Sequence, residues 1–207
     1  MITSEAQARD YCRQFADAEA MERLEQLVHL LLEENQRQNL ISKATLDSVW
    51  QRHIADSAQL LSHVPRGTQP WLDLGTGAGF PGLVIAALRP EWDVRLVESR
   101  KRRTEWLETA GKALGLTNCR IIAQRLELVD SFTAGTISAR AFAPLPKLLS
   151  LSARFSGPST CWLLPKGRSA AHELDELSPN TRALFHVEQS VTDDTAGIIV
   201  GTFKGRL

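Results

Sequence analysis

The densest chemical signal in the chain is Asp73-Leu74-Gly75-Thr76-Gly77-Ala78-Gly79-Phe80-Pro81-Gly82. It stands where a short apolar run, Trp71 to Gly75, hands over to a helical pattern, the place where a parallel sheet receives a ligand. Glycines there let the backbone take positive φ and let a ligand approach where a Cβ would otherwise stand. Gly77, Gly79 and Gly82 satisfy the G-x-G-x-x-G spacing, and Glu98 follows Gly77 by 21 residues, where an acid accepts hydrogen bonds from ribose hydroxyls. This pattern suits a nicotinamide dinucleotide and S-adenosylmethionine alike. Asp73 weighs between them. A carboxylate just before the loop repels a pyrophosphate, yet suits a cofactor that carries an ammonium and a sulfonium and no phosphate.

Arg100, Lys101, Arg102 and Arg103 form the one dense basic run, with Arg95 nearby and Lys147 and Arg154 further on. Such a run is either a solvated helix face or a track for phosphates. Formal net charge is zero over 207 residues, so nucleic acid would have to be held by a local patch rather than by bulk electrostatics. Cys12, Cys119 and Cys161 lie far apart without CxxC spacing, and the five histidines show no metal spacing, so neither a disulfide framework nor a catalytic metal is expected. No stretch approaches the length of an apolar membrane span, and the first ten residues lack a signal core. A protein of the cytoplasm, without membrane contact, is expected.

The elements that must position these residues follow from periodicity. Leu24, Leu27, Val28 and Leu31 recur at helical steps and predict a helix from Met21 to about Gln38. Leu46, Val49, Trp50, Ile54 and Leu61 predict a second from Thr45 to Ser62. After the turn Pro65-Arg66-Gly67 the pattern changes to short apolar runs alternating with helices, the signature of a mainly parallel sheet. Strands are expected at Trp71–Gly75, Val94–Glu98, Cys119–Ala123, Thr136–Ala139 and Thr160–Leu164. Phe185–Ser190 and Ile198–Phe203 read as a hairpin at the sheet edge. The chain is thus α/β, with residues 1–64 a helical cap on the same domain as a 65–207 core.

The loop, with its Gly79-Phe80-Pro81-Gly82 end, resembles the cofactor loop of the RsmG (GidB) family of bacterial 16S ribosomal RNA guanine-N7 methyltransferases. Asn39-Leu40-Ile41-Ser42 and Arg52-His53-Ile54-Ala55-Asp56-Ser57 are similar to the family's N-terminal signatures. Ser138-Ala139-Arg140-Ala141-Phe142-Ala143 and Pro165-Lys166-Gly167 resemble its later ones. Gln124 and Gly135-Thr136 depart from the usual pattern. The resemblance implies a class I, Rossmann-like methyltransferase with a seven-stranded, mainly parallel sheet whose last strand is antiparallel. It implies S-adenosyl-L-methionine as cofactor and S-adenosyl-L-homocysteine as product. The implied substrate is 16S rRNA or the small ribosomal subunit, at guanine 527 of the 530-loop region. A monomer is expected.

The resemblance puts cofactor contacts at Gly75, Phe80, Leu126, Glu127 and Arg140. Strand ends converge at the carboxyl edge of a parallel sheet, so Asp73, Glu98, Leu126 and Arg140 can reach one ligand, with Gly77 and Gly79 shaping the loop. Glu98 would take the ribose, Asp73 the methionyl ammonium, and Leu126 the adenine. Guanine N7 has a free lone pair and no proton, so transfer needs alignment and no general base. Arg140 and Arg125 could then hold the guanine edge or a phosphate, or be structural salt-bridge residues. Asn39 and His53 would face the cleft and admit the nucleotide, or cap a helix and fill a partly buried position. Arg100 to Arg103 and Lys166 complete the candidate RNA contacts. Two other readings stay open, a nicotinamide-dependent oxidoreductase and a non-enzymatic ribosome assembly factor on a methyltransferase fold.

Overall fold

The computed structural model describes residues 1–64 and 68–204, so the expected turn Pro65-Arg66-Gly67 lies outside the described residues. The chain opens with helices α1 (Glu5–Cys12) and α2 (Ala18–Asn35). Ser4 accepts from the Gln7 N–H and Asp17 from the Ala20 N–H, side-chain caps that satisfy donors the first turns leave open. Helix α1 was not expected, because its buried residues are only Ala8 and Cys12, too few to register as a stripe.

Residues 43–63 correct a sequence expectation. One helix was expected over Thr45 to Ser62, whereas the chain makes a 3-10 turn (Lys43–Ser48), a π-helical stretch (Trp50–Ala55), a single α turn α3 (Asp56–Ala58) and a second 3-10 turn (Gln59–His63). The cause is a distant acid. Glu5 accepts the N–H groups of Trp50 and Gln51 at 2.9 and 2.8 Å, diverting donors that a regular helix directs to its own carbonyls.

The remainder alternates as β1 (Trp71–Leu74), α4 (Gly82–Leu88), β2 (Val94–Val97), α5 (Lys101–Ala113), β3 (Cys119–Ile122), β4 (Ala134–Ser138), α6 (Leu145–Ser152) and β5 (Ser156–Lys166). Two short helices, α7 (Ala170–Asp175) and α8 (Pro179–Arg182), precede β6 (Phe185–Gln189) and β7 (Gly197–Thr202). These strands form a seven-stranded sheet of order β3-β2-β1-β4-β5-β7-β6. The ladders from β3 through β5 are parallel, and β7 runs antiparallel between β5 and β6.

Side chains alternate across the sheet with the strand period. Cys161 and Leu163 join one core with α1, α2, α4 and α5, while Trp162 and Leu164 join the other with α6 and α7. The first core runs without a break from Leu24 and Trp50 of the N-terminal segment to Ile85, Leu96 and Trp106. Strand order reverses between β1 and β4, which leaves a crevice beyond the carboxyl ends of those strands.

Candidate active site

The crevice holds a cavity of about 610 Å3 whose wall includes Gly75, Gly77, Glu98, Leu126, Arg140 and Phe142. Residues Leu40 to Ser42 of the N-terminal segment close its near side. Gly75, Gly77 and Gly79 take φ of +62°, +59° and +102°, so the loop needs glycine for conformation alone. At Gly75 it also needs the space, since a Cβ would stand 2.2 Å from Cδ2 of Phe142. Gly79 faces inward, where a Cβ would meet Leu83, and does not line the cavity.

Glu98 stitches the loop to the next strand. Its Oε2 accepts the Gly77 N–H at 3.1 Å, and its Oε1 accepts the N–H groups of Ser99 and Arg100, each at 2.8 Å. A carboxylate offers about four acceptor positions, so Glu98 keeps capacity for a ligand hydroxyl.

Asp73 sits elsewhere than the ammonium contact expected of it. It is fully buried and does not border the cavity. Its Oδ2 accepts the Gly82 N–H at 3.0 Å and its Oδ1 the Ser138 hydroxyl at 2.8 Å. Burial raises its carboxyl above the ordinary value, against the pull of these hydrogen bonds and of Arg140. Asp73 thus fixes the turn from β1 into α4.

Arg140, at the end of β4, reaches back to the N-terminal segment. Its Nη1 donates to the Arg52 carbonyl at 3.2 Å and to Asp56 Oδ2 at 3.3 Å, and its Nη2 donates to His53 Nδ1 at 3.2 Å. The guanidinium lies 5.1 Å from the ring centre of Phe80, on which His53 stacks at 5.1 Å and 21°. Burial first, then Arg140 and Arg52, lower the His53 pKa to about 3, so the imidazole is neutral. With Nδ1 accepting, Nε2 carries the proton and donates to Thr45 Oγ1 at 2.9 Å. The next residue, Ala141, is held at φ of 53°, a strained position for a side chain.

The other expected contacts divide. Leu126 lines the cavity, while Arg125 and Glu127 point to solvent and pair with each other at 3.2 Å. Arg102 donates to the Arg37 carbonyl at 3.1 Å and Arg103 to the Asn39 carbonyl, so both bind the segment that closes the cavity. Of the run read as a solvated helix face or a phosphate track, Arg100 and Lys101 are the exposed pair without such backbone ties; Arg100 borders the cavity and Lys101 lies 3.8 Å from Glu105. Asn39 is exposed and outside the cavity; Asn35, unmarked by the sequence reading, is the residue that accepts the Leu40 and Ile41 N–H groups at 2.8 and 2.9 Å. Lys166 is buried against Glu173 rather than presented to RNA phosphates. Thr45 and Glu173 were also missed, because what marks them is a partner distant in sequence or on an irregular turn, and Asp56, quoted within a signature, was given no partner.

Among the described residues no group of His, Cys, Asp and Glu could hold a metal ion, and no helix is long and apolar enough to cross a membrane.

Comparison with known proteins places the chain in a family. The family model GidB, rRNA small subunit methyltransferase G, matches residues 20–197. The ribosomal RNA small subunit methyltransferase G of Erythrobacter litoralis (strain HTCC2594) is 62% identical over 100% of this chain and 99% of its own length. That of Novosphingobium aromaticivorans is 57% identical over 97% of this chain and 89% of its own. Among solved structures, cofactor-bound Rv0187 from MTB is similar in fold alone, with TM-score 0.62 and 10% identity over 89% of this chain and 91% of that one. Matched over most of its length by the family model and over nearly all of it by these relatives, the chain belongs to the rRNA small subunit methyltransferase G family.

Proposed function

We propose that this chain transfers a methyl group from S-adenosylmethionine to N7 of a guanine of 16S rRNA, at nucleotide 527 of the 530-loop region. The observation that carries the reading is the cavity at the β1–β4 reversal, with Glu98 on its wall and the Gly75 to Ala78 loop as its floor. The fit is chemical as well as spatial. A cavity of about 610 Å3 matches a nucleoside cofactor, Glu98 retains acceptor capacity for ribose hydroxyls, and Leu126 and Phe142 offer apolar walls to an adenine.

When bound, the cofactor supplies a methyl on a sulfonium: the N7 lone pair forms the new N–C bond, the C–S pair stays on sulfur, and the purine becomes cationic without losing a proton. The protein therefore has to bind, align and exclude water, with no base required. Glu98 orients the cofactor, Gly75 admits it, and Arg140, held in place by Phe80 and neutral His53, borders the side from which the guanine approaches. Residues 1–64 act as a cap and 65–207 as the core of one domain, working as a monomer in the cytoplasm on the small subunit or its RNA. Of the basic run, Arg100 and Lys101 remain for phosphates, whereas Arg102 and Arg103 shape the pocket mouth.

The test is transfer of labelled methyl to small subunits from a strain lacking this modification, with mass mapping of the product. Label on a 16S guanine N7 is expected; no transfer, or transfer to another atom, overturns the reading. Calorimetry against S-adenosylhomocysteine and NADH separates it from an oxidoreductase, which would bind only the latter.

A further inference from the structure

Past Arg140 the carboxyl edge of the sheet opens into a second cavity of about 640 Å3, which shares the strip Arg140, Ala141 and Phe142 with the first. Its wall holds a buried ion pair, Lys166 Nζ to Glu173 Oε2 at 2.7 Å, with side chains 8% and 15% exposed. The cofactor has no use for this pair. Nor is it well explained by stability, since desolvating two charges commonly offsets their attraction.

The pair has hydrogen-bonding capacity left over. Lys166 gives one hydrogen to Glu173 and one to the Ala143 carbonyl at 2.9 Å, leaving the third of an ammonium's donors. Glu173 Oε2 also accepts the Leu145 N–H at 3.0 Å, while Oε1, among the described residues, accepts only the Ser169 hydroxyl at 2.9 Å. A donor and an acceptor thus stand side by side on the cavity wall.

We propose that this cavity takes the acceptor base and that Lys166 and Glu173 read it as guanine, an inference that rests on the function proposed above. Along one edge guanine presents O6, an acceptor, then N1–H and the N2 amine, both donors. The Lys166 ammonium matches O6, and Glu173 Oε1 accepts from the N2 amine. Adenine presents a donor at position 6 and only a C–H at position 2, so it would set donor against ammonium and leave the carboxylate without a donor. In guanine, N7 lies on the other side of O6 from N1. Lys166 is tied to the Ala143 carbonyl beside the Arg140–Phe142 strip and Glu173 to the Leu145 N–H beyond it, so a guanine read in this order turns N7 toward that strip, where the two cavities meet. Buried polar groups left unpaired by the wrong base are an effective source of discrimination.

The experiment compares small subunits reconstituted with guanine or with inosine, which lacks only the N2 amine, at the methylated position. With wild-type protein, inosine is expected to lower kcat/KM by about 10- to 100-fold, the effect of leaving a charged acceptor without its donor. In Glu173→Gln the guanine rate falls and the guanine-to-inosine ratio drops toward one, with S-adenosylhomocysteine affinity retained. Glu173→Asp, which keeps a charge opposite Lys166 but withdraws it from the base, serves if the glutamine variant does not fold, and should lower the ratio likewise. Equal use of guanine and inosine by wild type overturns the proposal, and so does a ratio unchanged in the folded variant. Failure of wild type to label even the guanine subunit overturns the function reading itself, and this inference with it.

Discussion

Arg140 donates to Nδ1 of His53 across 3.2 Å, and this contact fixes the protonation of the imidazole as well as its place. A guanidinium can only donate, so the nitrogen it meets must be bare. Burial and two arginines hold the His53 pKa at about 3 against an ordinary 6.5. His53 is therefore a neutral spacer between Arg140 and Thr45, unfit to act as a proton carrier near neutral pH.

The first prediction concerns pH. Between about 6.5 and about 3 the unfolded chain binds a proton at His53 that the folded chain does not. Stability from this group is present above the unfolded pKa and is lost as pH falls toward the folded one, at up to about 1.4 kcal/mol per pH unit. Denaturant unfolding of wild type and His53→Gln at pH 5 and 7 measures it. The variant should lose less stability on acidification, and an unchanged difference would show that His53 titrates normally.

Gly75→Ala tests the loop. Its φ of +62° costs a side chain about 1 to 3 kcal/mol, and the added Cβ drives the Phe142 ring toward the cavity. Calorimetry with S-adenosylhomocysteine should show affinity reduced by at least about tenfold while circular dichroism stays native. Wild-type affinity in a folded variant would remove this glycine from the ligand's path.

For Glu98→Ala we expect cofactor binding weaker by about 1 to 3 kcal/mol, the scale of a charged hydrogen-bond partner. Because Glu98 also holds the Gly77, Ser99 and Arg100 N–H groups, the melting temperature should fall too. A lower melting temperature with affinity preserved would make its role purely one of tying loop to strand.

How much of this was legible in the sequence depends on the range of the interaction concerned. The strand-to-helix turn at Asp73 to Gly82 was readable because glycine at a strand end is a local necessity, and β1 to β5 followed from short apolar runs. The irregular turns over 43–63 were not, since the Glu5 carboxylate that distorts them lies 45 residues away from Trp50. Local charge made Arg102 and Arg103 look like a phosphate track, but their carbonyl partners on 37 and 39 are 65 and 64 residues back. Asp73 was read as a contact to the cofactor's ammonium, whereas in the structure it accepts from the Gly82 N–H and the Ser138 hydroxyl. Its spacing from Gly82 says nothing about burial, and burial decides whether a carboxylate meets a ligand or a backbone N–H.

The basic run should therefore split in two. Neutralising Arg100 and Lys101 together should weaken subunit binding and lower its salt slope by up to about two units, and neutralising Lys101 alone, away from the cavity that Arg100 borders, should leave cofactor affinity fixed. Arg103→Ala should instead release the Asn39 carbonyl, loosen residues 40–42 on the cavity wall and weaken S-adenosylhomocysteine binding. Filter binding across a salt series and calorimetry distinguish them. A salt slope that falls equally in Arg103→Ala would return that residue to the phosphate track.

Arg140→Ala should produce a defect in rate. The guanidinium holds Asp56, the Arg52 carbonyl and His53 from the N-terminal segment to the end of β4, and Asp56 in turn accepts from Thr192 Oγ1 at 2.9 Å. Without it the wall between the two cavities loses its anchor, Ala141 is free to leave its strained φ, and the line from N7 through the methyl to sulfur is no longer enforced. Misplacement of about 1 Å is enough to cost roughly 100-fold in an aligned transfer. Raising substrate cannot restore geometry, so single-turnover methylation at saturating subunit and cofactor should stay slow by that order, with cofactor affinity changed much less. Full recovery of the rate at high subunit concentration would show that Arg140 gathers substrate, and would remove it from the alignment of the methyl transfer.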